Sequence, residues 1–276
     1  MKSENQVERG TPPLVYDIGL HNGGDTRNYL NEGCRVVAIE ANPAMCSAAA
    51  AEFQPYIDEH FLTILNCAVA VEAGKLEFWV CDSLSEWSSS DRALAARNGS
   101  KHHSVIVDCF PIRDIVARFG VPQYMKIDIE GSDKTCLSGL TEDICPPYIS
   151  TELDFDGGDR QVVRLHELGY RRFKLICQSS KWNQVTKRNL WFYGAGPDAA
   201  FVPIVQVMQS VIRRINGRRR VLRGRQRGES GPWGERSHGY WHSLEYVLEV
   251  WKGICKIQNE TGANGPGWWF DIHAKR

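Results

Sequence analysis

The stretch YMKIDIEGSDKTCLSGL, residues 124–140, decides the reading of the whole chain. It opens as a short apolar strand and carries Asp128 and Glu130 to its own end. It then turns at Gly131 and passes into a helix from about Ser132. Two carboxylates at a strand end repel each other and add little packing, so they call for a ligand. In open α/β sheets, ligands bind beyond the carboxyl ends of the strands.

Short β-branched runs alternate with helical stretches on both sides of this segment. LVYDIG, RVVAIEA, LTILNCAVA and YISTEL read as further strands, and helices follow from about Asp25, over the alanine-rich stretch to Phe53, and from Asp159 to Leu168. GKLEFWV and SVIVDCF read as added strands, while YRRFKLIC and NLWFYG read as a closing antiparallel pair. Such alternation predicts an open, mostly parallel sheet with helices on both faces. Residues 1–13 read as a flexible tail, 14–200 as the ligand-binding domain, and 201–276 as an extension that binds substrate or acts as a lid. Within the extension, Leu244, Val247, Leu248, Trp251 and Ile254 recur at helical spacing and predict a packing face.

Composition narrows the function classes. The chain has 276 residues with 33 basic and 33 acidic side chains, so no global charge points to nucleic acid or an anionic membrane. Eight arginines nevertheless crowd Arg213–Arg227 without one acid. The nine cysteines are scattered, with no C-x-x-C pair, which suits reduced thiols better than a disulfide framework. The opening MKSENQVERG lacks an apolar signal core, and no apolar run nears the roughly 20 residues that span a bilayer. A cytoplasmic protein without a transmembrane segment is expected.

The first strand leads into Asp17-Ile-Gly19-Leu-His21-Asn-Gly23-Gly24-Asp25-Thr26, a glycine-rich turn of the kind that holds a cofactor. Aligned as G-x-G-x-x-G on Gly19 and Gly24, the middle glycine is replaced by His21. That glycine normally lets the backbone approach a pyrophosphate. Its loss, and the negative charge of Asp17 beside the turn, favour a cationic cofactor without phosphate. S-adenosylmethionine, with an ammonium and a sulfonium, meets that description. Glu40 ends the second strand 21 residues after Gly19, where a carboxylate accepts hydrogen bonds from ribose hydroxyls. Ala41 follows it, and Asn66, Cys67 and Ala68 stand at the third strand's end for the adenine edge. The cofactor set is therefore Asp17, Gly19, His21, Gly23, Thr26, Glu40, Ala41, Asn66, Cys67, Ala68 and Asp128.

Taken together, these elements resemble the FkbM family of S-adenosylmethionine-dependent methyltransferases. The family's Lys-Ile-Asp-(Val/Ile)-Glu-Gly element matches Lys126 to Gly131, followed by Leu137 and Gly139. Its Asp-x-Gly-x-x-x-Gly motif matches Asp17, Gly19 and Gly23; its second-strand acid matches Glu40 and its fifth-strand acid Glu152. The resemblance covers about residues 14–195. It implies a class I methyltransferase sheet of seven strands with the last antiparallel, and methyl transfer to a hydroxyl of a sugar, glycan or polyketide-like small molecule.

An alcohol is a poor nucleophile near neutral pH and needs a base or a metal. Asp128 and Glu130 share one face of their strand. Asp128 is read as nearest the cofactor and the reacting hydroxyl, Glu130 as base or orienter, and Glu152 as a second orienter; His21 is a further candidate base. Asp154, Asp156 and Asp159 read as a solvated loop rather than ligands, so a divalent metal is not indicated. His102, His103, His238 and His242 read as structural, and Trp233, Tyr240 and Trp241 as packing rather than a lid. The Arg213–Arg227 stretch could meet an anionic group of the acceptor.

Three rival classes stay in view. Pro146-Pro147-Tyr148 resembles the Pro-Pro-aromatic motif of nucleic-acid amino-methyltransferases, but it precedes the fifth strand instead of ending the fourth. A nicotinamide oxidoreductase is disfavoured by His21 and Asp17. A non-catalytic S-adenosylmethionine-binding protein would bind cofactor without turning it over.

Overall fold

The computed structural model describes residues 11–178, 183–190, 193, 230–261 and 268–276. The first ten residues and the Arg213–Arg227 stretch lie outside the described residues.

Strands β1 (Leu14–Ile18), β2 (Arg35–Glu40) and β3 (Leu62–Asn66) alternate with helices α1 (Gly24–Asn31), α2 (Pro43–Glu52) and the short α3 (Gln54–Asp58). Helix α2 starts where the sequence says it should: the Asn42 side chain accepts from the Ala44 backbone N–H at 3.0 Å, and Pro43 takes the first helical position. A separate three-stranded sheet follows, made of β4 (Ala68–Val69), β5 (Gly74–Cys81) and β6 (His102–Phe110), with α4 (Arg92–Ala95) in the β5–β6 connection. Helix α5 (Ile112–Phe119), β7 (Tyr124–Ile127), α6 (Asp133–Ser138), β8 (Tyr148–Glu152), α7 (Gly158–Glu167) and β9 (Arg172–Cys177) resume the alternation. The two-residue β10 (Asn183–Gln184), α8 (Leu244–Thr261) and β11 (Phe270–Lys275) complete it.

The main sheet runs β3-β2-β1-β7-β8-β11-β9-β10. Strands β1, β2, β3, β7 and β8 pair in parallel, whereas β11 is antiparallel to both β8 and β9. This is the expected seven-stranded sheet with its last strand reversed, plus a small edge. One element is corrected. Among the described residues β9 pairs antiparallel with β11, inserted between β8 and β9, and with the two-residue β10, instead of with the described part of NLWFYG. Asn189, Leu190 and Tyr193, the described residues of that stretch, belong to no strand. The expected division at residue 200 thus does not separate sheet from extension, because a central strand lies beyond it.

The two faces of the sheet differ in kind. One face is apolar: Tyr16, Ile18, Ile39, Met125, Ile127, Ile149, Leu175 and Ile272 pack against α5, α6, α7 and α8. The periodicity of α8 is as expected, with Val247, Trp251 and Ile254 fully buried and Leu244 and Leu248 at its flank. The other face carries a polar row. Asp17 pairs in register with Lys126, Lys126 with Ser150, Ser150 with His273, and His273 with Lys174. All five side chains are buried. Segment 230–243 covers part of this face. Trp233 stacks on Tyr124 at 5.1 Å, and Lys174 Nζ lies 4.1 Å from the Trp241 ring and donates to the Ser237 carbonyl at 3.0 Å. Trp233 and Trp241 are therefore packing residues, and Tyr240 points to solvent.

His273 is the weak member of the row. Neither ring nitrogen has a hydrogen-bond partner among the described residues. Burial, then the Lys174 charge, push its pKa from 6.5 down to about 3. The folded protein keeps this ring neutral while the unfolded chain protonates it. Its contribution is therefore complete above pH 6.5 and is lost as pH falls toward 3. The loss is about 1.4 kcal/mol per pH unit. His273→Leu is expected to match the wild type in urea unfolding near neutral pH and to exceed it by about 2 kcal/mol near pH 5. Parallel pH profiles for the two proteins would refute this.

Candidate functional site

Between β1 and β7 the strand order reverses, and a cavity of about 650 Å³ opens there at the carboxyl ends of the strands. The β1–α1 turn forms one wall. Gly19 has φ +94°, and a Cβ on it would lie 1.8 Å from the Asp128 carbonyl oxygen, so only glycine lets the two strand ends pass. Gly23, at φ +75°, precedes α1, and a Cβ there would meet the Phe53 ring at 2.6 Å. His21 adopts a left-handed conformation of its own at φ 46°. It thereby aims its backbone N–H at Glu40 Oε2 (2.8 Å), while its ring Nε2 meets Ser85 Oγ at 2.7 Å.

Glu40 also accepts from the Asn42 backbone N–H at 2.8 Å through Oε1. Burial raises its pKa against the pull of these two N–H groups. One lone pair on each oxygen is left for a ligand. Asn66 donates from Nδ2 to the carbonyls of Glu40 and Ala41 at 3.0 Å each, so it braces this strand end and does not line the cavity. Ile39, Ala41, Met45, Cys67, Ala68, Val69 and Phe78 make an apolar recess beside Glu40.

Asp17 and Thr26 sit beneath the turn instead of in the cavity. Thr26 Oγ1 donates to Asp17 Oδ2 at 2.6 Å, and Lys126 Nζ lies 3.1 Å from Asp17 Oδ1. The cation that Asp17 serves in this structure is therefore the protein's own. Lys126 donates to the Gly19 carbonyl at 2.9 Å and approaches Asp25 at 3.7 Å and Asp128 at 3.5 Å. Burial draws its pKa down, but Asp17, Asp128 and Asp25 outweigh that and hold it well above the lysine range.

The opposite end of the cavity is acidic. Asp128, Glu130 and Glu152 line it with Gln178, Trp269 and the Leu84–Ser88 segment. Arg97 holds Glu130 at 2.7 Å and lies 5.0 Å from the Trp87 ring centroid. Ser89 Oγ donates to the Glu130 carbonyl at 2.6 Å, and Ser90 Oγ meets Ser132 Oγ at 2.8 Å, so the β5–β6 connection is stapled to the end of β7. Burial raises the pKa of Glu130 despite Arg97. Burial, then repulsion from Asp128, Glu130, Asp133 and Asp271, raises Glu152 well above the usual carboxylate range.

The structure thus gathers Gly19, His21, Glu40, Ala41, Cys67, Ala68, Asp128, Glu130 and Glu152 around one space, and leaves Asp17, Gly23, Thr26 and Asn66 behind it as supports. Asp154 pairs with Lys134 at 2.9 Å, and among the described residues no cluster of three or more acids, histidines or cysteines is arranged around a common metal position. Of the remaining histidines singled out, none lines the cavity, and Tyr148 of the Pro-Pro-Tyr run starts β8 at the opposite edge of the sheet. The sequence reading missed Lys126 as a buried counter-ion, Arg97, the 84–90 segment, and Gln178, Trp269 and Asp271. Only Lys126 carried a signal: a lysine inside an apolar strand, on the same face as Asp128.

A family model described as Methyltransferase FkbM domain matches residues 17–172, more than half of the chain. No curated protein matches the sequence. Among solved structures, the precorrin-6y C5,15-methyltransferase from Geobacter metallireducens GS-15 aligns at 9% identity, covering 98% of this chain and 82% of that one, with a TM-score of 0.38. The [4+2]-cyclase SpnF aligns at 7% identity over 97% and 76%, also with a TM-score of 0.38. Coclaurine N-methyltransferase, solved with N-methylheliamine and S-adenosylhomocysteine, aligns at 10% over 96% and 65%, with a TM-score of 0.31. Likeness at these scores carries no weight for substrate or chemistry.

Proposed function

Because the chain belongs to the FkbM methyltransferase family, we propose that it methylates a hydroxyl oxygen of a sugar, glycan or polyketide-like small molecule, with S-adenosylmethionine as donor. The observation that carries this reading is the shape of one cavity. A carboxylate clamped by two backbone N–H groups, Glu40, stands beside an apolar recess at one end, and three carboxylates, Asp128, Glu130 and Glu152, stand at the other. Glu40 would take the ribose hydroxyls, and Cys67, Ala68 and Ala41 the adenine. Asp128 would stand nearest the sulfonium end.

When bound, S-adenosylmethionine supplies a methyl group on positively charged sulfur. The residues of the chain do the rest. The apolar recess and the Gly19–His21 turn fix the donor's position, and holding the two reactants in line supplies most of the acceleration. The acidic end orients the acceptor hydroxyl and receives its proton. Trp87 and Trp269 give that end aromatic walls. The Arg213–Arg227 stretch is proposed to meet an anionic group of the acceptor, and the protein to act in the cytoplasm; among the described residues no helix is long and apolar enough to cross a membrane.

Calorimetric titration tests the reading. S-adenosylhomocysteine is expected to bind with roughly micromolar affinity, about −8 kcal/mol, and NADH not to bind. Binding of NADH without S-adenosylhomocysteine would overturn it, and salt-dependent RNA binding would favour a nucleic-acid acceptor.

A further inference from the structure

We propose that Glu152 is the residue that takes the acceptor's proton, and that Asp271, its neighbour on the C-terminal strand, is the positioning residue that prepares it. The proposal rests on the methyltransferase reading above and deepens it.

Three carboxylates face the acceptor end of the cavity, and two of them are committed. Asp128 lies 3.5 Å from Lys126 Nζ, and Glu130 is held by Arg97 at 2.7 Å. Burial raises the pKa of Glu130 as well, but the Arg97 guanidinium opposes that rise and occupies one of its oxygens, so Glu130 has a cation of its own where Glu152 has none. Glu152 differs. Its backbone is pinned, with its carbonyl accepting from Gln161 Nε2 at 2.9 Å. Its carboxylate lines the cavity and makes no hydrogen bond or ion pair with any described residue.

The β8–β11 register explains what stands behind it. Glu152 and Asp271 are paired residues on adjacent antiparallel strands, so their side chains leave the sheet on the same face. Asp271 is 2% exposed, and Gln178 Nε2 donates to its Oδ2 at 2.7 Å. Gln178 and Trp269 are themselves part of the cavity wall. The C-terminal strand therefore fixes a second carboxyl group against the first. The groups facing Glu152 are Asp128 and Glu130 from the end of β7, Asp133 from α6 and Asp271 from β11. Asp271 in turn faces Asp128, Asp25 and Lys126. Among the described residues no cation lies within ion-pair distance of Glu152. Burial and this repulsion make Glu152 a stronger base than an ordinary glutamate, as a base acting near neutral pH must be. Burial, then Asp128, pushes Asp271 itself up to about 8, so Glu152 and Asp271 give up their protons as one pair, and removing the Asp271 carboxyl moves the proton affinity of Glu152.

In the step, the acceptor oxygen forms its bond to the methyl carbon while the carbon–sulfur pair passes to sulfur, giving neutral S-adenosylhomocysteine. The hydroxyl proton goes to Glu152 and later to solvent. Asp271 lies outside the family match at 17–172, so this preparation belongs to the chain's own C-terminal segment.

The test is a carbon-13 NMR titration of side-chain carboxyls in the S-adenosylhomocysteine-saturated protein, with the Glu152 resonance assigned by its loss in Glu152→Gln. Glu152 is expected to titrate above the ordinary glutamate range, and in Asp271→Asn its midpoint should fall by about one unit or more. The asparagine keeps the size of the side chain and an oxygen for Gln178. S-adenosylhomocysteine affinity should stay within about threefold, since Asp271 is not among the residues that line the cavity. An ordinary midpoint, or one unmoved in Asp271→Asn, would overturn the proposal while leaving the methyltransferase reading intact. Failure of the wild type to bind S-adenosylhomocysteine would instead sink that reading. With any hydroxylated acceptor turned over from a sugar and polyketide panel, Glu152→Gln should lose about 100-fold or more in kcat and Glu130→Gln less than about tenfold. The reverse order would also overturn the assignment.

Discussion

Lys126→Met is expected to cost the fold about 3–5 kcal/mol in urea unfolding near neutral pH, the range for removing one partner of a buried ion pair. Methionine keeps the length of the side chain and most of its volume, so packing changes little. What goes is the ammonium that lies 3.1 Å from Asp17, 3.7 Å from Asp25 and 3.5 Å from Asp128, and that donates to the Gly19 carbonyl. Asp17 is completely buried and Asp25 nearly so. Without Lys126 the buried Asp17 charge keeps the Thr26 Oγ1 hydroxyl but loses its cation, and Asp25, which accepts from the Ser230 N–H, loses a neighbouring positive charge. Adding Asp17→Asn to Lys126→Met should recover part of the loss, because one stranded charge disappears with its partner. A single-variant cost under about 1 kcal/mol would mean that Lys126 is not the counter-ion of the turn.

The same pair shows where sequence reading stops. Asp17 was legible as a residue of the site, because strand, glycine turn and helix are consecutive and the turn chemistry is local. The identity of its cation was not, since Asp17 and Lys126 meet only through the β1–β7 register, 109 positions apart in the chain. Glu40 and the Asp128–Glu130 end were legible for the same local reason: each closes an apolar run next to a turn. The helices α7 and α8 declared themselves by periodicity. Strand β11 did not. FDIHAK alternates apolar and polar residues, but it is six residues long and follows a turn-rich segment, and nothing local says that it inserts between β8 and β9. Missing it hid Asp271, Trp269 and His273 together. The Leu84–Ser90 wall was silent for another reason: a run of serines has no period, and its place is set by contacts to Glu130, Ser132 and His21 that only the folded chain makes.

Glu40→Ala is expected to weaken S-adenosylhomocysteine binding by about 100-fold or more, close to 3 kcal/mol. Two losses combine. The ribose hydroxyls lose a charged acceptor, worth about 1.5–3 kcal/mol for hydrogen bonds to an ionised group. The backbone N–H groups of His21 and Asn42 also lose their common partner, so the turn that positions the donor is no longer held. Glu40→Gln should fall between wild type and alanine, because one side-chain oxygen can still accept while the new amide confronts an N–H. Asn66→Ala, which removes only the brace to the Glu40 and Ala41 carbonyls, should weaken binding far less. The pH dependence follows in sign. Burial raises the Glu40 pKa above that of an ordinary glutamate, so the carboxylate is present above that raised value and is neutralised as pH falls through it. Affinity in the wild type should therefore decline on the acid side earlier than an unperturbed glutamate would predict, and the decline should be absent from Glu40→Gln, whose side chain does not titrate. Calorimetry across the range from pH 8 to about 5 reads both effects; equal affinity in Glu40→Ala and wild type would remove the ribose contact and, with it, the orientation assigned to the donor in the cavity.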